Sequence, residues 1–154
     1  MMFTTAELAA ITDGQWIGEP PSEGPVCIGH DTRRQLDGGL YVAIAGTHLD
    51  GHDFLNQASD AGATMALVQR QIDSALPQLR VQDTIGALGR LASAWRDRIE
   101  GIRVISITGT AGKTTTKDLL QHVLGSALKG LASPASWNNA IGGPMSLLQA
   151  RPDD

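Results

Sequence analysis

The stretch from Arg103 to Leu128, RVISITGTAGKTTTKDLLQHVLGSAL, constrains this chain more than any other. Val104-Ile105-Ser106-Ile107-Thr108 is rich in β-branched residues and predicts a buried strand. Gly109-Thr110-Ala111-Gly112-Lys113-Thr114-Thr115 follows. Leu119, Leu120, Val123, Leu124, Ala127 and Leu128 then recur as one apolar stripe at helical period. A strand, a glycine-bearing turn with Gly-Lys-Thr and a helix together form the layout of a phosphate-binding loop.

The chemistry follows from that layout. Amide N–H groups at a helix start lack intrahelical acceptors, and the helix dipole places partial positive charge there. Glycines allow positive φ and a close approach of backbone to phosphate oxygens. Lys113 is placed to reach terminal phosphates, and the Thr114 hydroxyl to ligate Mg²⁺. The loop is a short GxxGKT, because Ile107 stands where the longer GxxxxGK[ST] pattern has glycine. A turn that merely caps a helix is the plainer alternative. The flanking elements favour a nucleoside triphosphate site.

Composition narrows the class. At 154 residues the chain can bury a core. A net charge of −4 argues against a nucleic-acid or anionic-membrane surface, so phosphate binding has to be local. Cys27 is the single cysteine, which fits a reducing cytoplasm, and its apolar neighbours Val26 and Ile28 favour a structural thiol over a nucleophile. There is no leader-like start and no 18-residue apolar run, so a soluble cytoplasmic protein without membrane insertion is expected.

Taken in order, Thr4-Thr5-Ala6-Glu7 predicts a capping box opening a short helix that closes near Asp13-Gly14. A Pro/Gly-rich connector spans 18–25. Strands are expected over 26–29, 40–45, 64–68 and 79–81, with helices over 54–61 and 84–99. Ile85, Leu88, Leu91, Ala92, Trp95 and Ile99 mark the buried stripe of the second helix, with Gly101 as its C-cap. After the phosphate loop, 129–133 reads as a strand and Pro144 as the first residue of a last helix. Strands alternate with helices, so the class is α/β. The expected division is a domain over 1–100 and the start of a second over 101–154. No acidic residue after Lys113 lies on a convincing strand, although a phosphate-loop nucleotidase needs a carboxylate there for Mg²⁺. That points to a piece of a longer enzyme.

Two polar clusters end the early strands. Asp31-Thr32-Arg33 reads either as a solvated turn or as part of a site. Thr47-His48-Leu49-Asp50-Gly51-His52-Asp53 has the residue types of a metal site. Gly51 argues for a loop, however, in which His48 and His52 do not form a helical ligand pair, and a helix-capping turn is the better reading. His30 reads as a strand-end residue and His122 as a helix-surface one. Asn138-Asn139, beside Ile141-Gly142-Gly143-Pro144, offers paired amides suited to orienting a ligand.

Together these pieces resemble the Mur ligase family, the ATP-dependent amide-forming enzymes of bacterial peptidoglycan synthesis. Thr108 to Thr115 resembles the family's TGTxGKT[TS] loop, and Asp31-Thr32-Arg33 its D-[ST]-R element. Leu40 to Gly46 with Asp50-Gly51-His52-Asp53-Phe54 is similar to LFVAxxG…DGHDF. Asn138 to Pro144 with Leu147-Leu148 resembles NNxIGxPxxLL, typical of the members that add D-alanyl-D-alanine to UDP-N-acetylmuramoyl-tripeptide. The resemblance implies an N-terminal α/β domain for the UDP-substrate, followed by the start of a P-loop ATPase domain. It implies Asp31, Thr32, Arg33, Thr47, His48 and His52 around the nucleotide-sugar, and Gly109 to Thr115 with Asn138 and Asn139 on the ATP side. Lys113 would be the catalytic cation, Thr114 the Mg²⁺ ligand, and the full-length enzyme a monomer. Two alternatives stay open. One is the sister ligase that adds the third residue of the peptide, diaminopimelate or lysine; the other is a non-catalytic nucleotide-binding module.

Overall fold

The computed structural model describes residues 1–134 and 140–151. By contacts the chain forms two compact units, Met1–Leu91 and Ala92–Asp154. The division lies within helix α3 (Thr84–Arg98).

The first unit is built on a five-stranded sheet of order β1-β5-β4-β3-β2. Its strands are β1 (Gln15–Ile17), β2 (Ile28–Gly29), β3 (Gly39–Val42), β4 (Ala63–Val68) and β5 (Gln78–Arg80). β2, β3, β4 and β5 run parallel, and β1 closes the β5 edge antiparallel. β4 reads ATMALV because a central parallel strand is buried on both faces and needs no polar alternation. Leu40, Val42, Met65, Leu67 and Leu79 are wholly buried, as are Leu88 and Leu91 of α3. Tyr41, Ala43, Ala66 and Val68 share a cluster with Leu55 and Ala58 of α2 (Leu55–Asp60).

Local chemistry sets the boundaries. Helix α1 (Thr5–Thr12) opens with the expected capping box: Glu7 N–H donates to Thr4 Oγ1 at 3.2 Å and Thr4 N–H to Glu7 at 2.7 Å. It closes on Asp13 in the left-handed region. Arg90 of α3 then takes the terminal carbonyls of Ile11 and Thr12 at 3.1 and 2.7 Å. β1 was not anticipated, since three residues after a helix carry no periodicity. β2 is shorter than expected because Val26, half-exposed, meets Gly38 O through one backbone bond only. β3 ends at Val42, where the chain turns into a loop closed by the bridge Ala45–Asp50.

The second unit departs further from expectation. Residues 103–108 form no strand, and Val104 and Ile105 are 53% and 60% exposed. A strand exists only where its backbone groups are paired, and among the described residues no strand runs beside this one. Helix α4 (Lys113–Gly125) forms as expected but buries none of its residues; Leu119 and Val123 of its stripe lie open. The 129–133 stretch is also not a strand. Helix α5 spans Gly142–Leu148, so Pro144 is its third residue rather than its first, still within the turn whose N–H groups have no intrahelical acceptor. Met145 and Leu148 are buried, and Trp95 Nε1 donates to Ala150 O at 2.8 Å.

Candidate functional site

In an open parallel sheet ligands bind beyond the carboxyl ends of the strands. Here that edge carries the loops following β2, β3 and β4. His30 and Asp31-Thr32-Arg33 follow β2. The Asp31 carboxylate accepts Arg33 N–H at 3.1 Å, Nε at 2.8 Å and Nη2 at 2.8 Å, a turn and an ion pair at once. Arg33 holds the Asp31 carboxyl down at about 2, its hydrogen bond being the main cause. Thr32 Oγ1 lies 3.4 Å from Gln57 Oε1 on α2. Burial pushes the His30 imidazole below its ordinary value.

The loop after β3 presents Thr47, His48 and Leu49 to solvent. Its base is rigid. Gly46 N–H donates to Leu49 O at 2.9 Å, and Tyr41 Oη, from β3, donates to Gly51 O at 2.9 Å. Asp50 caps the 3₁₀ turn Gly51–Phe54 by accepting His52 N–H at 2.9 Å. Its other carboxylate oxygen takes Arg70, from the end of β4, at 2.8 Å. Backbone donation by His52 is the leading cause of the lowered Asp50 carboxyl, followed by Arg70. Tyr41 is pushed up to about 12, first by burial and then by Asp31 and Asp50, so both carboxylates act on one phenol. The edge therefore brings Asp31, Thr32 and Arg33 to the ends of the same sheet as Thr47 and His48.

His52 differs from the other expected substrate contacts. It is 1% exposed, with Nδ1 2.6 Å from Asp50 Oδ1 and Nε2 2.9 Å from the Gln69 amide nitrogen. Both ring nitrogens are hydrogen-bonded inside the fold, which speaks against the reading of His52 as a contact residue. Tyr41, Gln57, Gln69 and Arg70 were missed. Asp50 two residues before His52 is an Asx-turn signal, whereas Arg70 is twenty positions away and had no local signal. Cys27 is half-buried, and burial with Asp37 raises its thiol.

In the second unit the Gly109–Thr115 loop is exposed apart from Lys113, which is partly covered. Gly112 caps α4 at φ 78°, in the left-handed region. That reversal sets Lys113, Thr114 and Thr115 in the first turn of the helix, where their amide groups have no intrahelical acceptor. The first backbone bond of α4 is Thr116 N–H to Gly112 O at 2.9 Å. Lys113 Nζ folds back onto Gly109 O, so its ammonium hangs over the loop. An open array of amides at a dipole's positive end, with an ammonium tied to the same loop, fits a polyphosphate. Thr114, the next residue, is exposed. Among the described residues no group of three metal-ligating side chains occurs. Asn138 and Asn139 lie outside the described residues.

Comparison with known proteins gives the class. Residues 26–96 match the Mur ligase family, catalytic domain, and residues 107–154 match the Mur ligase middle domain. The chain belongs to the Mur ligase family. It is 38% identical over 150 residues to the UDP-N-acetylmuramoyl-tripeptide–D-alanyl-D-alanine ligase of Escherichia coli, covering 97% of this chain and 32% of that protein. It is 42% identical over 105 residues to the UDP-N-acetylmuramoyl-L-alanyl-D-glutamate–2,6-diaminopimelate ligase of Syntrophomonas wolfei, covering 66% of this chain and 22% of that one. Among solved structures, MurF from Acinetobacter baumannii superposes with a TM-score of 0.88 at 35% identity, over 97% of this chain and 33% of that one. MurF from Thermotoga maritima, in complex with ADP, gives 0.66 at 29% identity, over 79% and 28%. The chain spans about a third of the length of the curated relatives it matches.

No helix among the described residues is long and apolar enough to cross a membrane.

Proposed function

We propose that this chain supplies the UDP-substrate and phosphate-loop portions of an ATP-dependent cytoplasmic ligase that adds D-alanyl-D-alanine to UDP-N-acetylmuramoyl-tripeptide. The proposed division is a substrate domain over 1–100 and the first part of the ATPase domain over 101–154. By family resemblance the substrate's terminal carboxylate takes the γ-phosphoryl group of ATP, and the incoming amine then displaces phosphate to form the amide. Lys113 is assigned to offset charge on the transferring phosphoryl group, and the amides of the Gly109–Thr115 loop to hold the phosphates. Thr114 is the residue that would take Mg²⁺, which supplies charge neutralisation at the phosphates. Asp31, Thr32, Arg33, Thr47 and His48 are assigned to the nucleotide-sugar. The observation that carries this reading is the left-handed turn at Gly112, which starts α4 at Lys113 with its first-turn amides open, and the Lys113 ammonium held on Gly109 O of the same loop.

Calorimetry tests the reading. The chain should bind ATP, with Lys113→Ala abolishing the heat, and should bind UDP-N-acetylmuramoyl-tripeptide at a separate site. No ATP heat in the parent chain would overturn it. The sister ligase that adds the third residue is the second reading, supported by the Syntrophomonas wolfei relative. Tighter binding of UDP-N-acetylmuramoyl-dipeptide than of the tripeptide would favour that one.

A further inference from the structure

We infer that His52 is a positioning residue that straps the Thr47–His48 loop to the end of β4 and never itself touches substrate. This rests on the strand-end edge being the nucleotide-sugar site. The Gln69 backbone nitrogen can only donate, so the ring nitrogen 2.9 Å from it, Nε2, must be the acceptor and carry no proton. The neutral ring's one proton then sits on Nδ1 and goes to Asp50 Oδ1, 2.6 Å away. Asp50 in turn accepts His52 N–H and, through Oδ2, Arg70. The circuit therefore leaves the end of β4 at Gln69, crosses the imidazole and the carboxylate, and returns to the same strand end at Arg70. Its middle member, Asp50, is also the bridge partner of Ala45 and so closes the base of the loop whose exposed tip holds Thr47 and His48.

An imidazole that donates on one side and accepts on the other ties the Asp50 end of the loop base to the end of β4, and a side chain that could only donate would leave a bond unmade. His52 is 1% exposed, its ring held between Asp50 and Gln69. Pre-ordering a ligand loop strengthens binding by lowering the entropy lost on association.

Two measurements on the full chain decide this. In ¹⁵N spectra at neutral pH, His52 Nε2 should show the shift of an unprotonated nitrogen and Nδ1 that of a protonated one. A protonated Nε2 would overturn the proposal. By calorimetry, His52→Leu should weaken UDP-N-acetylmuramoyl-tripeptide by about tenfold or more and leave ATP affinity unchanged. His52→Gln, whose carbonyl can accept from Gln69, and His52→Asn, whose amide can donate to Asp50, should each recover part of the loss. The proposal fails if all three variants bind like the parent, or if Gln and Asn recover nothing. It also fails if saturating UDP-substrate displaces the His52 ring signals as a direct contact does. Should His52→Leu not fold, the Gln and Asn variants and the ring nitrogen shifts still decide. A parent chain that binds no UDP-substrate sinks the site assignment instead, and the nitrogen shifts then judge the strap alone.

Discussion

Arg33 grips Asp31 two positions earlier through both Nε and Nη2, each 2.8 Å from a different carboxylate oxygen. The guanidinium is 88% exposed even so. The pair presents a cation whose direction is fixed by its own neighbour, which suits an anionic ligand arriving from solvent.

Because Arg33 favours the charged form, Asp31 should titrate at about 2 in ¹³C-detected carboxyl spectra. Its folded value lies below the unfolded one, so its contribution to stability is present above the ordinary carboxylate range and lost as pH falls toward about 2. Solvent screening keeps that contribution small. Arg33→Ala should raise the Asp31 titration toward the ordinary carboxylate range, the backbone N–H of residue 33 continuing to hold it down in part. An unmoved titration would show that some other group holds the carboxyl down.

Tyr41 should ionise at about 12 in an ultraviolet pH titration. A raised value means stability is intact below the usual phenol range and falls as pH climbs through about 12. Tyr41→Phe strands Gly51 O without its donor and should cost about 1–2 kcal/mol in urea unfolding.

Leu67, wholly buried near the end of β4, and Leu119, 60% exposed on α4, make a paired test. Leu67→Ala should destabilise the first unit by about 2–5 kcal/mol through transfer and cavity terms. Leu119→Ser should change the stability of the chain by no more than roughly 0.5 kcal/mol and reduce its binding of an apolar dye.

Gly112→Ala meets no steric obstacle, since nothing lies within 4 Å of the added Cβ, yet φ there is 78°. The cost is therefore purely conformational, about 1–2 kcal/mol, and falls on the turn that presents Lys113. ATP affinity should drop about tenfold, while the thermal transition of the first unit stays where it was.

Several elements were legible because their signal is local. The Thr4–Glu7 capping box, the apolar run of β4 and the Gly112-Lys113 start of α4 each depend on neighbours within a few positions, and each stands where the residues place it. The Val104–Thr108 stretch misleads for the opposite reason. β-branched residues favour extended backbone, but pairing needs a partner strand, and the described residues supply none. Likewise the α4 stripe has helical period and makes a helix, yet period says nothing of what covers it.

His52 is the sharpest instance at the site. The family resemblance implied a ligand contact at His52, and the fold buries it against Asp50 and Gln69. Arg70 was invisible for the same reason, since its bond to Asp50 spans twenty positions.

The order of amino acids by itself determined the α/β class, the starts of α1, α3 and α4, the glycine turn before Lys113 and the family, because these follow from short-range sterics, hydrogen-bonding capacity and spacing. Only the tertiary structure decided which polar residues face solvent and which are consumed internally. That choice turns on where the parallel strands end relative to one another, which is settled by long-range pairing across the sheet. It is why Arg33, Thr47 and His48 lie open at the strand ends and His52 does not.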